Sequence, residues 1–233
     1  MREHKVYDAI LESVSLKKKL LAVLIDPEKF DLGTASSFLR KLPSETTHLF
    51  VGGSTVPEGL TEQVVETIKL YTAKTIVIFP GDVGQITARA DALLFLSLFS
   101  GDNPEYLVGQ QIRAASQLRT LNLEVIPTGY LLIDGGNGSA VSSVTQTKPI
   151  PQTDISRIVD TALAAQLSGK KLIYLEAGSG AKYPVGPKII SEVKKELQIP
   201  LIVGGGIRTK DQLQAAYHAG TDMVVMGTAF EQI

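Results

Sequence analysis

LIVGGGI (Leu201–Ile207) and, one strand–helix unit later, VVMGTA (Val224–Ala229) are the stretches on which the fold reading turns. In each, a short Val/Ile-rich run ends in small residues before the chain turns polar. Such a run reads as a strand buried on both faces of a parallel sheet. The glycines that follow let backbone N–H groups converge on an anion, although the same residues also suit a bare strand-to-helix turn. Two such loops in succession near the end of an α/β chain match the phosphate site of a TIM barrel, after strands seven and eight.

The remaining sequence has room for that barrel and little else. A chain of 233 residues fits one barrel domain, 1–233. With 44% hydrophobic and 20% charged residues it can build a sizeable core. Lysine plus arginine (23) nearly balances aspartate plus glutamate (24), which argues against a sequence-blind nucleic-acid binder. The absence of cysteine excludes disulfides, thiol catalysis and thiolate-held metals. The N-terminus MREHKVYDAI lacks the apolar core of a signal peptide, and no apolar run reaches the roughly 18 residues of a membrane span. A cytoplasmic enzyme is expected.

Taken in order, His4–Lys19 has helical spacing (Val6, Ile10, Val14) and precedes the barrel as an extra helix that closes its bottom. Strands are predicted over Leu21–Asp26, Thr47–Ser54, Lys74–Gly81, Ala92–Gly101, Leu123–Ile133, Lys171–Ala181, Leu201–Ile207 and Val224–Ala229. Helices are predicted from Asp31 to about Leu42, then over Glu58–Tyr71, Glu105–Leu121, 154–168, Pro187–Leu197 and Lys210–Ala219. In the third of these, Leu107, Val108, Ile112, Ala115 and Leu118 form the apolar face. The Gly81–Ala92 connection is too short for a full helix, so the third barrel helix is irregular or missing. Asp134–Pro151 is rich in Gly, Ser, Thr and Asn without helical periodicity, as in a lid or binding loop. AFEQI (Ala229–Ile233) has room only to begin an eighth helix. The fold class is therefore a single-domain (β/α)8 TIM barrel.

In a barrel the chemistry sits at the C-terminal strand ends. Here these carry glycines, hydroxyls and a few carboxylates, a set suited to anions and Mg²⁺. Asp26, in IDPEK, is a turn-former or a metal-binding carboxylate, since Mg²⁺ takes hard oxygen ligands and shares its shell with substrate phosphates. Ser54 on the neighbouring strand end adds an oxygen. Glu176, in YLEAGSG, leaves an apolar strand for a glycine loop, where it forms a salt bridge or, partly desolvated, accepts a hydroxyl proton. His4, His48 and His218 all fall away from the strand ends, which removes a histidine proton shuttle.

IDPEK, VGGST, YLEAGSGA, VGGGI and MGTAF, in this order and spacing, resemble the geranylgeranylglyceryl phosphate synthase family over about Val6–Phe230. YLEAGSG is the form of the archaeal-type branch. The heptaprenyl branch carries a lysine two residues before the motif aspartate, where this chain has Leu24. The resemblance implies Mg²⁺-dependent transfer of a prenyl group, geranylgeranyl in this branch, from its diphosphate to the 3-hydroxyl of sn-glycerol 1-phosphate. It implies Mg²⁺ on Asp26 and Ser54, and Glu176 as base or hydroxyl-orienting group. Tyr174, Leu175, Glu176, Ala177, Gly178, Ser179 and Gly180 would bind glycerol 1-phosphate, with Gly205, Gly206, Gly227 and Thr228 cradling its phosphate. Phe95–Ser100 and Tyr130–Ile133 are candidate walls for the prenyl tail. The resemblance further implies a homo-oligomer, dimer or hexamer, a place in ether-phospholipid synthesis, and transient membrane contact. Two rival readings stand beside it besides the heptaprenyl one. A histidine-biosynthesis-type barrel needs a second carboxylate at strand five, where this chain offers Pro127-Thr128-Gly129. A phosphate-sensing module has no need for Asp26 and Glu176 both aimed into the mouth.

Overall fold

The computed structural model describes residues 5–230. Eight parallel strands close into a barrel in chain order. They are β1 (Leu20–Ile25), β2 (Thr46–Val51), β3 (Thr75–Ile78), β4 (Ala92–Leu98), β5 (Glu124–Leu132), β6 (Leu172–Glu176), β7 (Leu201–Gly204) and β8 (Met223–Met226). β8 closes onto β1 in the register Leu20 against Met223 to Val23 against Met226.

Strand side chains alternate between two apolar compartments, which is why the strands read as near-continuous hydrophobic runs. Ala22, Phe50, Val77, Leu94, Ile126, Tyr174, Ile202 and Val225 fill the barrel interior. Val23, Leu49, Ile76 and Leu93 pack outward on one side of the barrel, and Leu131, Ile173, Leu175 and Val203 on the other. The outer layer comprises α2 (Ala35–Lys41), α3 (Leu60–Lys69), α4 (Gln110–Thr120), α6 (Ile155–Leu167), α7 (Pro187–Glu196) and α8 (Lys210–His218).

The extra N-terminal helix is α1 (Lys5–Ser15). Its Val6, Tyr7 and Ile10 join the interior cluster, and the Val6 and Tyr7 amides donate to the Glu124 carboxylate at 2.7 and 2.9 Å. Those first-turn amides have no partner within the helix, and Glu124 opens β5, so α1 plugs the N-terminal end of the barrel. The helix stops short of Lys19 because Lys17 adopts φ 55 and the chain then enters β1.

Three local expectations change, and a fourth, the irregular or missing third helix, holds. Asp31 caps a 3-10 turn (Leu32–Thr34) that leads into α2. The third barrel helix is replaced by a single 3-10 turn, Val83–Gln85. A π-helical turn (Glu105–Gly109) precedes α4 and shifts its register, so Ala114 and Leu118 face inward while Val108 (51%) and Ile112 (68%) are exposed. The loop after β5 contains a short helix, α5 (Ala140–Thr145), where no helical periodicity was legible. Ser139 caps it by accepting the Ser142 amide at 3.1 Å, and local capping is enough to form one and a half turns.

Candidate active site

A cavity of about 360 Å³ opens at the C-terminal ends of the strands. Its polar wall carries Asp26, Gly52–Thr55, Tyr130, Tyr174, Glu176, Ser179, Gly205–Arg208, Gly227 and Thr228. The strand ends that the sequence singles out are thus gathered around one space, with the exceptions given below.

Glu176 is the last residue of β6 and is only 6% exposed. Burial disfavours its anion and pushes its pKa up to about 7. The Gly178 amide, donating to Oε1 at 2.7 Å, holds back part of that rise. The Tyr174 hydroxyl also lies near enough to pull the value down, yet it forms no well-aligned hydrogen bond. Tyr174 and Tyr130 point into the same space, their rings 5.5 Å apart edge to face, with Phe79 stacked on Tyr174 at 5.1 Å. Both hydroxyls are buried without a hydrogen-bond partner among the described residues. Burial, then the neighbouring Glu176, raises both phenol pKa values well above normal, so both stay neutral donors. A buried orphan hydroxyl costs about 1–3 kcal/mol. Two of them beneath a carboxylate poised near neutrality form a floor suited to a polyol, whose hydroxyls would satisfy all three groups.

The glycine loops are built around that floor. Gly205 and Gly206 adopt φ 80 and 71, and Gly178 and Gly180 adopt φ 100 and 70. A Cβ on Gly205 would collide with Glu176 Oε1 and lie 2.7 Å from the amide nitrogens of Ala177 and Gly178. The side chain of residue 205 is therefore excluded by the acid itself. Among the described residues the Gly205, Gly206, Gly227 and Thr228 amides have no hydrogen-bond acceptor. The N-terminus of α8, by contrast, is closed by its own capping box between Thr209 and Gln212. An anion here meets the two loops and the 3-10 turn Thr228–Phe230 rather than α8. Lys29 and Arg208 add positive charge to the rim. Gly205→Ala combines left-handed strain with that collision, and is expected to weaken binding of a small phosphate ester by about five- to thirtyfold, or ~1–2 kcal/mol. Isothermal titration checks it, with circular dichroism to confirm the fold.

At the end of β1, beside β8, Asp26 Oδ1 accepts the Glu28 amide at 3.1 Å, and Oδ2 lies 3.6 Å from Lys29 Nζ. That is an Asx-type turn with one oxygen only loosely engaged. Among the described residues no group of three acidic or histidine side chains is placed to hold a metal. One carboxylate and the Ser54 hydroxyl nevertheless fit Mg²⁺, which dehydrates reluctantly and is commonly held by one or two carboxylates plus substrate phosphates.

The cavity continues as an apolar arm. Val83, Ile86, Leu93, Phe95, Leu96, Tyr106, Ala114, Val141 and Val144 line it. Leu93 and Phe95 belong to the outward-facing layer. They reach the cavity where the 3-10 turn replaces the third helix, so the missing helix leaves a groove. Of the predicted walls, Phe95, Leu96, Leu98 and Tyr130 line it, whereas Leu131 and Ile133 pack into the outer layer.

Several singled-out residues lie elsewhere. The Leu175 and Ala177 side chains pack outward, and neither residue lines the cavity, nor do Gly178 and Gly180; the Ala177 amide donates to the Gly204 carbonyl at 3.1 Å. Ser97 receives a hydrogen bond from Lys170 at 2.8 Å, and Ser100 one from the Leu132 amide. Thr128 and Gly129 fall within β5 rather than at its end. The true end is followed by a carboxylate, Asp134, which is exposed, accepts the Gly136 amide at 2.9 Å and does not line the cavity. Strand five therefore does carry an acid, turned away from the mouth. His48 is buried low in β2 with its pKa lowered by burial to about 4, His218 ends α8, and His4 lies outside the described residues. Sequence reading named Tyr130 only as a wall for the prenyl tail, not as a hydroxyl beside Glu176, and missed Phe79. Their cue was an aromatic residue on the inward register of a strand close to its C-terminal end.

Comparison with known proteins shows the family and the fold. The profile of the PcrB family matches residues 14–233. Geranylgeranylglyceryl phosphate synthase of Zunongwangia profunda is 57% identical over 227 residues, covering 97% of each chain. The protein of the same name from Thermococcus gammatolerans is 41% identical over 93% of this chain and 86% of its own. The crystal structure of (S)-3-O-geranylgeranylglyceryl phosphate synthase from Thermoplasma acidophilum, in complex with its substrate sn-glycerol-1-phosphate, superposes with a TM-score of 0.89 at 36% identity, over 98% of this chain and 92% of that one.

Proposed function

The chain belongs to the PcrB family, and from that premise we propose that it transfers a geranylgeranyl group from its diphosphate to the 3-hydroxyl of sn-glycerol 1-phosphate. The products are 3-O-geranylgeranyl-sn-glyceryl 1-phosphate and diphosphate. The observation that carries this reading is the buried triad of Glu176, Tyr130 and Tyr174 beside loops whose amides have no acceptor among the described residues. It is an acceptor pocket for a polyol bearing one phosphate.

The acceptor phosphate occupies the Gly205-Gly206 and Gly227-Thr228 loops, and its glycerol hydroxyls meet Glu176 and the two tyrosines. The apolar groove over Leu93 and Phe95 takes the prenyl chain and aims C1 of the donor at the acceptor. Asp26 and Ser54 would hold Mg²⁺, which neutralises charge on the departing diphosphate. As the bond from the glycerol oxygen to C1 forms, the bond from C1 to the diphosphate oxygen breaks. The hydroxyl proton passes to the Glu176 carboxylate. Burial makes that carboxylate a stronger base than a solvated one, which suits proton transfer near neutral pH. The apolar groove keeps water from the reacting carbon, and neutral tyrosines orient the acceptor without competing for its proton. No described helix is long and apolar enough to cross a membrane, so the donor is drawn into the groove rather than processed within a span.

Isothermal titration without metal tests the acceptor half. sn-Glycerol 1-phosphate is expected to bind more tightly than its enantiomer, because three fixed polar groups read the hydroxyl arrangement. Equal affinity for both, or none for either, would contradict the assignment.

A further inference from the structure

Gln85 is 1% exposed and does not line the cavity, yet both ends of its amide engage one residue of the cavity wall. Its Nε2 donates to the Gly53 carbonyl at 2.8 Å, and the Gly53 amide donates to its Oε1 at 3.2 Å. The 3-10 turn that stands where a barrel helix would be delivers this side chain. Asp82 sets the turn by accepting the Gly84 amide on its side chain at 2.7 Å and the Gln85 amide on its carbonyl at 3.4 Å. Packing around the bidentate contact is close. A Cβ on Gly81 would lie 2.8 Å from the Ser54 carbonyl and 3.0 Å from Gln85 Nε2, and one on Gly53 would lie 3.0 Å from Asp26 Oδ1. The Gly53 peptide is thus held between Gln85 and Asp26, and Ser54 is the next residue along.

We propose that Gln85 is a positioning residue for the donor half of the site. It clamps Gly53 so that Ser54 and Asp26 keep a fixed separation, ready for a metal-bound diphosphate. The inference rests on the reading of Asp26 and Ser54 given above. The shortened third connection then has two effects: it opens the groove for the prenyl chain, and it places an amide where no helix side chain would reach. The chemistry calls for an amide. A carboxylate at this position would set negative charge against the Gly53 carbonyl, and an apolar side chain of equal length would leave a buried N–H and C=O unpaired.

Gln85→Met removes both hydrogen bonds, and Gln85→Glu keeps the shape and one acceptor. The latter carries the test alone if the former does not fold. Mn²⁺ with inorganic pyrophosphate, followed by electron paramagnetic resonance, reads the donor half, and isothermal titration with sn-glycerol 1-phosphate reads the acceptor half. Both variants are expected to bind Mn²⁺–pyrophosphate about tenfold more weakly, with acceptor affinity unchanged within about twofold. A purely structural role would lower the melting temperature and leave metal–pyrophosphate affinity intact, and that result would overturn the proposal, as would equal weakening of both ligands. If the wild-type protein itself takes up no Mn²⁺ with pyrophosphate, the underlying reading of Asp26 and Ser54 fails first and takes this one with it.

Discussion

Glu176→Gln is expected to lower turnover by about 10²–10⁴ while leaving the fold intact, since glutamine keeps the shape and the acceptor for the Gly178 amide but cannot take a proton. The wild-type rate should rise with pH through about 7, where the buried carboxylate ionises, and then level off, whereas the variant's residual rate should be flat across that range. Stability should move the other way. The folded-state pKa of Glu176 is raised, so its favourable contribution is full below about 4.5, the ordinary carboxylate value, and is lost as pH rises to about 7. The wild-type protein should lose on the order of 3 kcal/mol across that window through this one group, and the variant should not. Thermal melts at pH 5 and 8 check it: the variant should melt higher than wild type at pH 8, with the difference closing at pH 5. Near-normal turnover in the variant would leave Glu176 as an orienting group only.

Asp26→Asn tests the other half, with an expected loss of 10² or more in kcat/KM for the prenyl diphosphate. Asparagine retains an oxygen for the Glu28 amide, so the turn at Pro27 should survive, and the exposed pairing with Lys29 is worth at most about 1 kcal/mol. Affinity for sn-glycerol 1-phosphate should be little changed, because the phosphate loops bind through their own backbone amides, whereas the Asp26 carboxylate engages Glu28 and Lys29. Initial rates against Mg²⁺ concentration separate the outcomes. A variant with undiminished Mg²⁺ dependence would place the metal on other residues.

The parts of the fold legible in the sequence were those set by long-range periodicity. Eight apolar runs, mostly separated by helical stretches, specify a parallel barrel because each strand is buried on both faces, and Gly81–Ala92 is visibly too short for a helix. The parts that were not legible depend on local geometry or tertiary override. α5 is held by a Ser139 cap and by packing over the cavity, not by an apolar stripe. The stripe Val108, Ile112 and Ala115 is genuine in sequence but turned outward by the π-helical turn before it. At the site, Asp26, Glu176 and the glycine loops stood out as polar or small residues at the ends of apolar runs. The Tyr130 hydroxyl and Gln85 did not. Tyr130 looks like barrel interior, and nothing local marks its hydroxyl as unpartnered. Gln85 acts through a residue 32 positions away, which no spacing rule reveals. The strand-five argument shows the same limit: Asp134 is an acid beyond that strand, and only its orientation removes it from the chemistry.

The most direct test supplies purified protein with geranylgeranyl diphosphate, Mg²⁺ and sn-glycerol 1-phosphate, and follows the ether product by mass spectrometry alongside diphosphate release. The account predicts 3-O-geranylgeranyl-sn-glyceryl 1-phosphate and diphosphate in equal amounts, and little product from the enantiomeric acceptor. Diphosphate release without ether, or no product from prenyl diphosphates of any chain length, would contradict it.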